Sequence, residues 1–153
     1  GVRQGLQATI QENVLPAGSP RMGAFTVTVD DGTGAPPASL LASVATAIEA
    51  VRPAGSSFCV QPPVLVSASI VLSVATVAGA VHGDVAAAVQ QAVIGFVNAL
   101  PIGAALAWSR LAQIAYDASP AVANVTGVTL NGAAADLAPP LSGVVKASSV
   151  TVS

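Results

Sequence analysis

From Val64 to Val77 the chain alternates. Val64, Val66, Ala68, Ile70, Leu72 and Val74 fall on one face of an extended backbone, and Ser67, Ser69 and Ser73 fall on the other. Side chains two residues apart share a face in a strand, whereas a helix would scatter the same residues round its axis. A long, half-buried strand is therefore required, and the rest of the chain has to cover its apolar face. The alternation also settles the uncharged stretch from Pro53 to Val81, which exceeds the roughly 20 residues that span a bilayer. A second uncharged stretch, Val85 to Ser109, carries Gln90, Gln91 and Asn98 and is cut by Pro101 and Gly103. A lipid-facing helix there would place amides in hydrocarbon, so no direct membrane insertion is expected.

Immediately before the long strand stands Pro62-Pro63, which favours extended backbone and interrupts any sheet running through it. It divides the chain into residues 1–62 and 63–153. In the first part, Leu6, Ala8 and Ile10 alternate with Gln7, Thr9 and Gln11; a helix would also suit Leu6, Ile10 and Val14, but a strand is preferred. Leu15 to Gly23 reads as a loop by its Pro and Gly content, and Phe25 to Val29 as a strand by β-branching and alternation. Asp30 to Gly34 reads as a turn. Pro36 and Pro37 suit the first turn of a helix, whose stripe is Leu40, Leu41, Val44, Ile48 and Val51 and which stops before Arg52-Pro53. A short strand follows at Ser57 to Val60.

In the second part the long strand leads to a helix from Asp84 with the stripe Val85, Val89, Val93 (or Ala92), Phe96 and Leu100. Trp108, Leu111, Ala112 and Ala115 mark a shorter helix ending near Ser119-Pro120. Two strands, Val122 to Leu130 and Val144 to Val152, close the chain. The expected fold is α+β: two small two-layer units, β-β-α-β and β-α-α-β-β, with mainly antiparallel sheets and helices on one face. The first unit is expected to be truncated at its N-terminus, because Gly1 opens on Val2-Arg3-Gln4-Gly5 without a signal peptide and reads as a cut fragment. The two parts echo each other in a strand ending near an asparagine (Asn13, Asn131), a Pro-containing loop and a returning Val/Thr strand.

Charge is scarce. Only 8% of residues are charged, against roughly 25% in an ordinary domain, while 53% are apolar and 3% aromatic. Arg3, Arg21, Arg52, Arg110 and Lys146 are scattered singly, so no basic stripe exists for phosphates and nucleic acid is not an expected partner. The single Cys59 excludes an internal disulfide and fits a reducing compartment.

Chemistry has few places to start. His82 is the only histidine, and with Asp84 two residues on it offers the alternative of a small hydrolase or ligand-binding α+β protein. The competing interpretation is a loop residue before a helix that Asp84 caps. Asp30-Asp31 invites thought of calcium or acid/base work, but neighbours at a strand end point to opposite faces, and a plain turn is favoured. Gly32-Thr33-Gly34 sits between a strand and a helix, yet Pro37 falls where a dinucleotide fingerprint needs glycine. Ser109 has no Gly-x-Ser-x-Gly context. Glu49 and Arg52 read as a solvated pair. No catalytic, cofactor-binding or metal residue is therefore expected, and the chain reads as a structural protein, not an enzyme.

The run Gly23-Ala24-Phe25-Thr26-Val27-Thr28-Val29-Asp30-Asp31-Gly32-Thr33-Gly34, followed by Leu40-Leu41, Val44, Ile48, Val51-Arg52-Pro53-Ala54-Gly55 and Val60, resembles the C-terminal portion of the baseplate J-like family of contractile-tailed phages and prophages. Val89 to Phe96, Leu100-Pro101-Ile102-Gly103, Ser109-Arg110-Leu111 and Val122 to Val128 extend that resemblance. It implies a wedge scaffold of a tail baseplate, assembled in the bacterial cytoplasm and carried in the virion tail. The implied partners are other baseplate and tail proteins, with self-association possible in principle. The family's larger N-terminal portion has no counterpart in this sequence. Expected interface elements are the loop Pro16 to Gly23 and the serine face of the long strand.

Overall fold

A computed structural model describes residues 5–153; Arg3 and the rest of residues 1–4 lie outside the described residues. The elements are β1 (Gln7–Val14), a 3-10 turn (Pro16–Gly18), β2 (Pro20–Asp30), α1 (Ala38–Val51), β3 (Ser57–Gln61), β4 (Val64–Thr76), α2 (His82–Asn98), α3 (Trp108–Ala118), β5 (Val122–Leu130) and β6 (Gly143–Val152). The fold is α+β with two sheet units, as the sequence predicts. Pro62 and Pro63 lie between the last strand of the first sheet and the first strand of the second.

Each sheet has three strands, ordered β1-β2-β3 and β5-β4-β6. The central strand of each is antiparallel to one neighbour and parallel to the other: β2 to β1 and β3, β4 to β5 and β6. This corrects the expectation of mainly antiparallel pairing. A parallel pair requires a crossover, and α1 supplies it between β2 and β3. In the second unit β6 follows the long connection after β5, passes to the far side of β4 and enters parallel to it.

Two boundaries also differ from expectation. The strand expected from Phe25 begins at Pro20, because Val14 pairs with Pro20 across a bulge and the Asn13 side-chain oxygen accepts the Gly23 N–H at 3.1 Å. Proline is tolerated there as the first residue of a strand. The helix expected from Asp84 begins at His82 with Val81 at its N-cap, so His82 is not a loop residue and Asp84 is not the cap but a first-turn carboxylate.

The asparagine echo has a physical basis. Among the described residues, Asn13 (φ 57°) and Asn131 (φ 52°) are the non-glycine positions with left-handed backbone, which asparagine tolerates better than most residues. Each side-chain oxygen accepts an N–H from the neighbouring strand, Gly23 in one case and Ser69 in the other.

The buried apolar cluster lies in the second unit. Ala68, Ile70, Leu72 and Val74 of β4 meet Val85, Val89, Val93 and Val97 of α2, Leu111 and Ala115 of α3, and Leu130, Val145 and Val150 of the flanking strands. The α2 stripe thus runs through Val97 at a strict spacing of four, with Phe96 and Leu100 at its margin. Small β-branched residues let helix and sheet approach closely, which suits a chain with few aromatics. Leu106, fully buried, exchanges backbone hydrogen bonds with Leu137, and the Asp136 carboxylate accepts the Trp108 N–H at 2.8 Å, so the loop after β5 caps α3.

Candidate interaction surface

Among the described residues, the first unit has no comparable cluster. No residue of α1 is fully buried; its stripe residues Leu40, Leu41, Val44 and Ile48 are only half covered and Val51 is exposed. Beneath it Phe58 stacks on its register partner Phe25 with ring centres 5.7 Å apart, and the Arg52 guanidinium lies 5.8 Å from the Phe58 ring centre. Ala45, Thr46, Glu49 and Ala50 line an open apolar depression with Phe58. In β1 the apolar residues point to the less covered side: Ile10 is 62% exposed while Gln7, Thr9 and Gln11 are half-buried. The expected loop is exposed in the residues whose side chains are described, and Met22 is 87% exposed.

The second sheet turns its serine face outward. Ser67, Ser69, Val71 and Ser73 of β4 stand in register with Ser149 and Thr151 of β6 and with Thr126 and Thr129 of β5. Ser69 and Ser149 share a hydroxyl hydrogen bond at 2.8 Å, as do Ser73 and Ser153. The face is uncharged beyond Lys146, and these two hydroxyl pairs tie its strands together side by side.

At the near end of that face the two units touch. Asp30, fully buried, accepts the Gly34 N–H at 2.8 Å through Oδ1, while its Oδ2 has no hydrogen-bond donor and lies 3.6 Å from Lys146 Nζ. That separation is a charge contact and not a hydrogen bond. Lys146 is 9% exposed and donates at 2.7 Å to the carbonyl of Asn98, one of the last carbonyls of α2, where the helix dipole favours a cation. The Asn98 side-chain oxygen accepts the Ala147 N–H. Gly34 (φ 79°) packs without a side chain against Leu65, Val144 and Lys146; a Cβ there would fall 2.8 Å from Leu65 Cδ1. Gln7 Oε1 accepts the Ile102 N–H at 3.3 Å.

The residues singled out for chemistry are not brought together. His82 and Asp84 are both exposed on the first turn of α2, two positions and thus about 200° apart round the axis. Asp30 and Asp31 diverge as their positions imply: Asp31 accepts hydrogen bonds from the Thr33 hydroxyl at 2.6 Å and the Thr33 N–H at 3.1 Å, which hold its carboxyl below the usual range. Arg52 donates two 2.8 Å hydrogen bonds to Glu49, lowering the carboxyl's pKa and raising its own. Cys59 is half-buried, with its thiol 3.8 Å from the Val60 carbonyl. Among the described residues, no group of three His, Cys, Asp or Glu side chains converges as a metal site, and no helix is long and apolar enough to cross a membrane.

Sequence reasoning missed the Asp30–Lys146 contact. The available signal was a lone lysine inside the apolar run Val144-Val145-Lys146-Ala147 and an aspartate closing a Val/Thr strand. Charges in such places demand partners. No protein-family model matches the chain, and no curated protein matches it.

Proposed function

We propose that this chain is a structural subunit of a contractile-tail baseplate in a phage or prophage, binding other baseplate proteins and catalysing nothing. The observation that supports this most is the surface of the first unit. Ile10 and Met22 stand in solvent on a short sheet, and α1 covers that sheet without burying one of its own residues. Exposed apolar side chains beside a half-covered helix are what a partner could bury. The sequence resemblance to the baseplate J-like family, carried by Gly23 to Gly34 and the core positions after it, names the assembly. The scarcity of charge agrees, since interface centres are depleted in charged residues.

The test is co-expression of the full chain with the candidate baseplate proteins encoded beside it, purification through a tag on this chain, and mass measurement by light scattering. A complex of fixed stoichiometry is expected, and Ile10→Asp combined with Met22→Asp should abolish it while leaving the fold intact. A chain that stays monomeric at all concentrations and binds none of those proteins would overturn the assignment.

A further inference from the structure

We propose that the outer edge of β3 is a self-association surface, on which a second copy of this chain adds its own β3 antiparallel and makes one continuous six-stranded sheet. A strand at a sheet edge carries unpaired backbone groups, and natural sheets blunt such edges with side chains, charges or bulges. Three of the four edge strands are blunted. On β6 the Gln90 amide donates to the Val150 carbonyl at 2.7 Å, and the Asn98 side-chain oxygen accepts the Ala147 N–H at 3.0 Å. On β5 the Val125 N–H is held by the Tyr116 hydroxyl and the Asn124 side-chain oxygen, and the register with β4 shifts twice. β1 carries Glu12 and a bulge before Val14. β3 has none of these features. It runs in unbroken register with β2 from Ala24↔Ser57 to Thr28↔Gln61, contains no charge and no proline, and is only half-buried throughout. Among the described residues, the one contact made to its backbone by anything but β2 is that of the Cys59 thiol with the Val60 carbonyl at 3.8 Å.

The flank beside this edge fits the same occupant. Phe58 lines the open depression with Ala45, Thr46, Glu49 and Ala50, whereas Phe25, stacked on Phe58 from β2, does not, so the depression opens on the outer side of β3. A two-fold axis at Cys59 sets Phe58 opposite the second copy's Val60 on the face under α1, an aromatic against a β-branched residue. It also lays the two α1 helices side by side in opposite directions, where Ala45, Thr46 and Ala50 are small enough for close approach and each Phe58 becomes covered. α1 and β3 together carry one charge, Glu49, and Arg52 neutralises it through two 2.8 Å hydrogen bonds. Identical surfaces therefore meet without repulsion. A 5-residue edge and the flank of a 14-residue helix bury roughly 600 Å² per copy, near the lower limit of about 1,200 Å² in total for a specific interface, so the dimer is reversible. β3 lies at the edge opposite β1 and its exposed Ile10, and the dimer stands or falls independently of the baseplate assignment.

The test is sedimentation of the purified full chain across a wide concentration range, with Ala50→Glu as the breaking variant and Ala88→Glu, exposed on α2, as the control. A monomer–dimer equilibrium is expected. Ala50→Glu should weaken it by at least about tenfold by setting like charges on facing helices, and Ala88→Glu should leave it unchanged. Diamide, which takes up the two hydrogens of a thiol pair, should link Cys59 to Cys59 at dimer-forming concentrations, since opposed residues of antiparallel strands have Cα atoms about 4.5–5.5 Å apart. A chain that stays monomeric overturns the proposal. So does a dimer that Ala50→Glu leaves intact, or one that yields no Cys59 cross-link. Ile10→Asp combined with Met22→Asp separates this dimer from the baseplate assignment: it should cost the baseplate complex and spare the dimer, and loss of the dimer there would move the interface to the β1 side and overturn the β3 pairing. If Ala50→Glu does not fold, sedimentation and cross-linking of the unsubstituted chain decide.

Discussion

The two sheets have the same number of strands and the same mixed pairing, yet they are stabilised differently. The second is covered by α2 and α3 through fully buried aliphatic residues on every element. The first has a single helix with no fully buried residue, and its central strand hides Thr26, Thr28 and Asp30 as well as Val27 and Val29. Burial of polar side chains in β2 is made tolerable by local bonds: the Thr26 hydroxyl donates to the Val14 carbonyl, and Gln61 donates to the Thr28 hydroxyl. The lesson is that equal strand topology does not imply equal self-sufficiency. A three-stranded sheet under one lightly packed helix retains apolar surface that a second body can cover.

The sharpest way to break this comparison is a pair of truncations read by chemical denaturation. Leu72→Ala, in the fully buried centre of β4, should cost about 4 kcal/mol, and Ile48→Ala on α1 under about 1 kcal/mol. Equal losses would mean that the first unit is packed as well as the second. Next in size is the junction: Lys146→Met strands the buried Asp30 carboxylate and should lower stability by about 3 kcal/mol. Gly34→Ala combines left-handed backbone with a contact at Leu65 Cδ1, and a loss of about 2 kcal/mol is expected in the same assay.

The asparagines refine the comparison further. Asn131 holds β5 against β4 through the Ser69 N–H and the Ser67 carbonyl, whereas Asn13 has the Gly23 N–H alone. Asn131→Ala should therefore cost about 1.5 kcal/mol and Asn13→Ala about half as much, measured as midpoint shifts. The smallest effect is the pH dependence at the surface of the first unit. Asp31 and Glu49 have folded pKa values below their unfolded ones. Their contribution is fully present above about pH 5 and is lost as pH falls through the folded values. Melting temperature should decline slightly across that acid range, and Thr33→Val should flatten the Asp31 part of the decline.

Much of the fold was legible because its signals are local. The alternation of β4, the α2 stripe at Val85, Val89 and Val93, and the breaks at Pro62-Pro63 and Pro101 each arise from residues within one element. The α1 stripe was equally legible as a helix, but the extent of its burial was not, since that depends on what the sheet presents to it. The start of β2 was misplaced because Pro20 to Gly23 has turn composition, and only pairing with Val14 and the Asn13 side chain makes it a strand. Of the surface, the outward serines of β4 could be foreseen from alternation, whereas the exposure of Ile10 could not.

The sequence by itself determined most of the segments that are strands and helices, and that charge would be rare, because period, turn chemistry and composition act over a few residues. Only the tertiary structure decided that β3 and β6 enter parallel to the strands beside them, that Asp30 is buried opposite Lys146, and that Gly34 packs against Leu65, Val144 and Lys146. Those outcomes depend on residues far apart in the chain arriving at one place. No short-range pattern encodes the water they exclude.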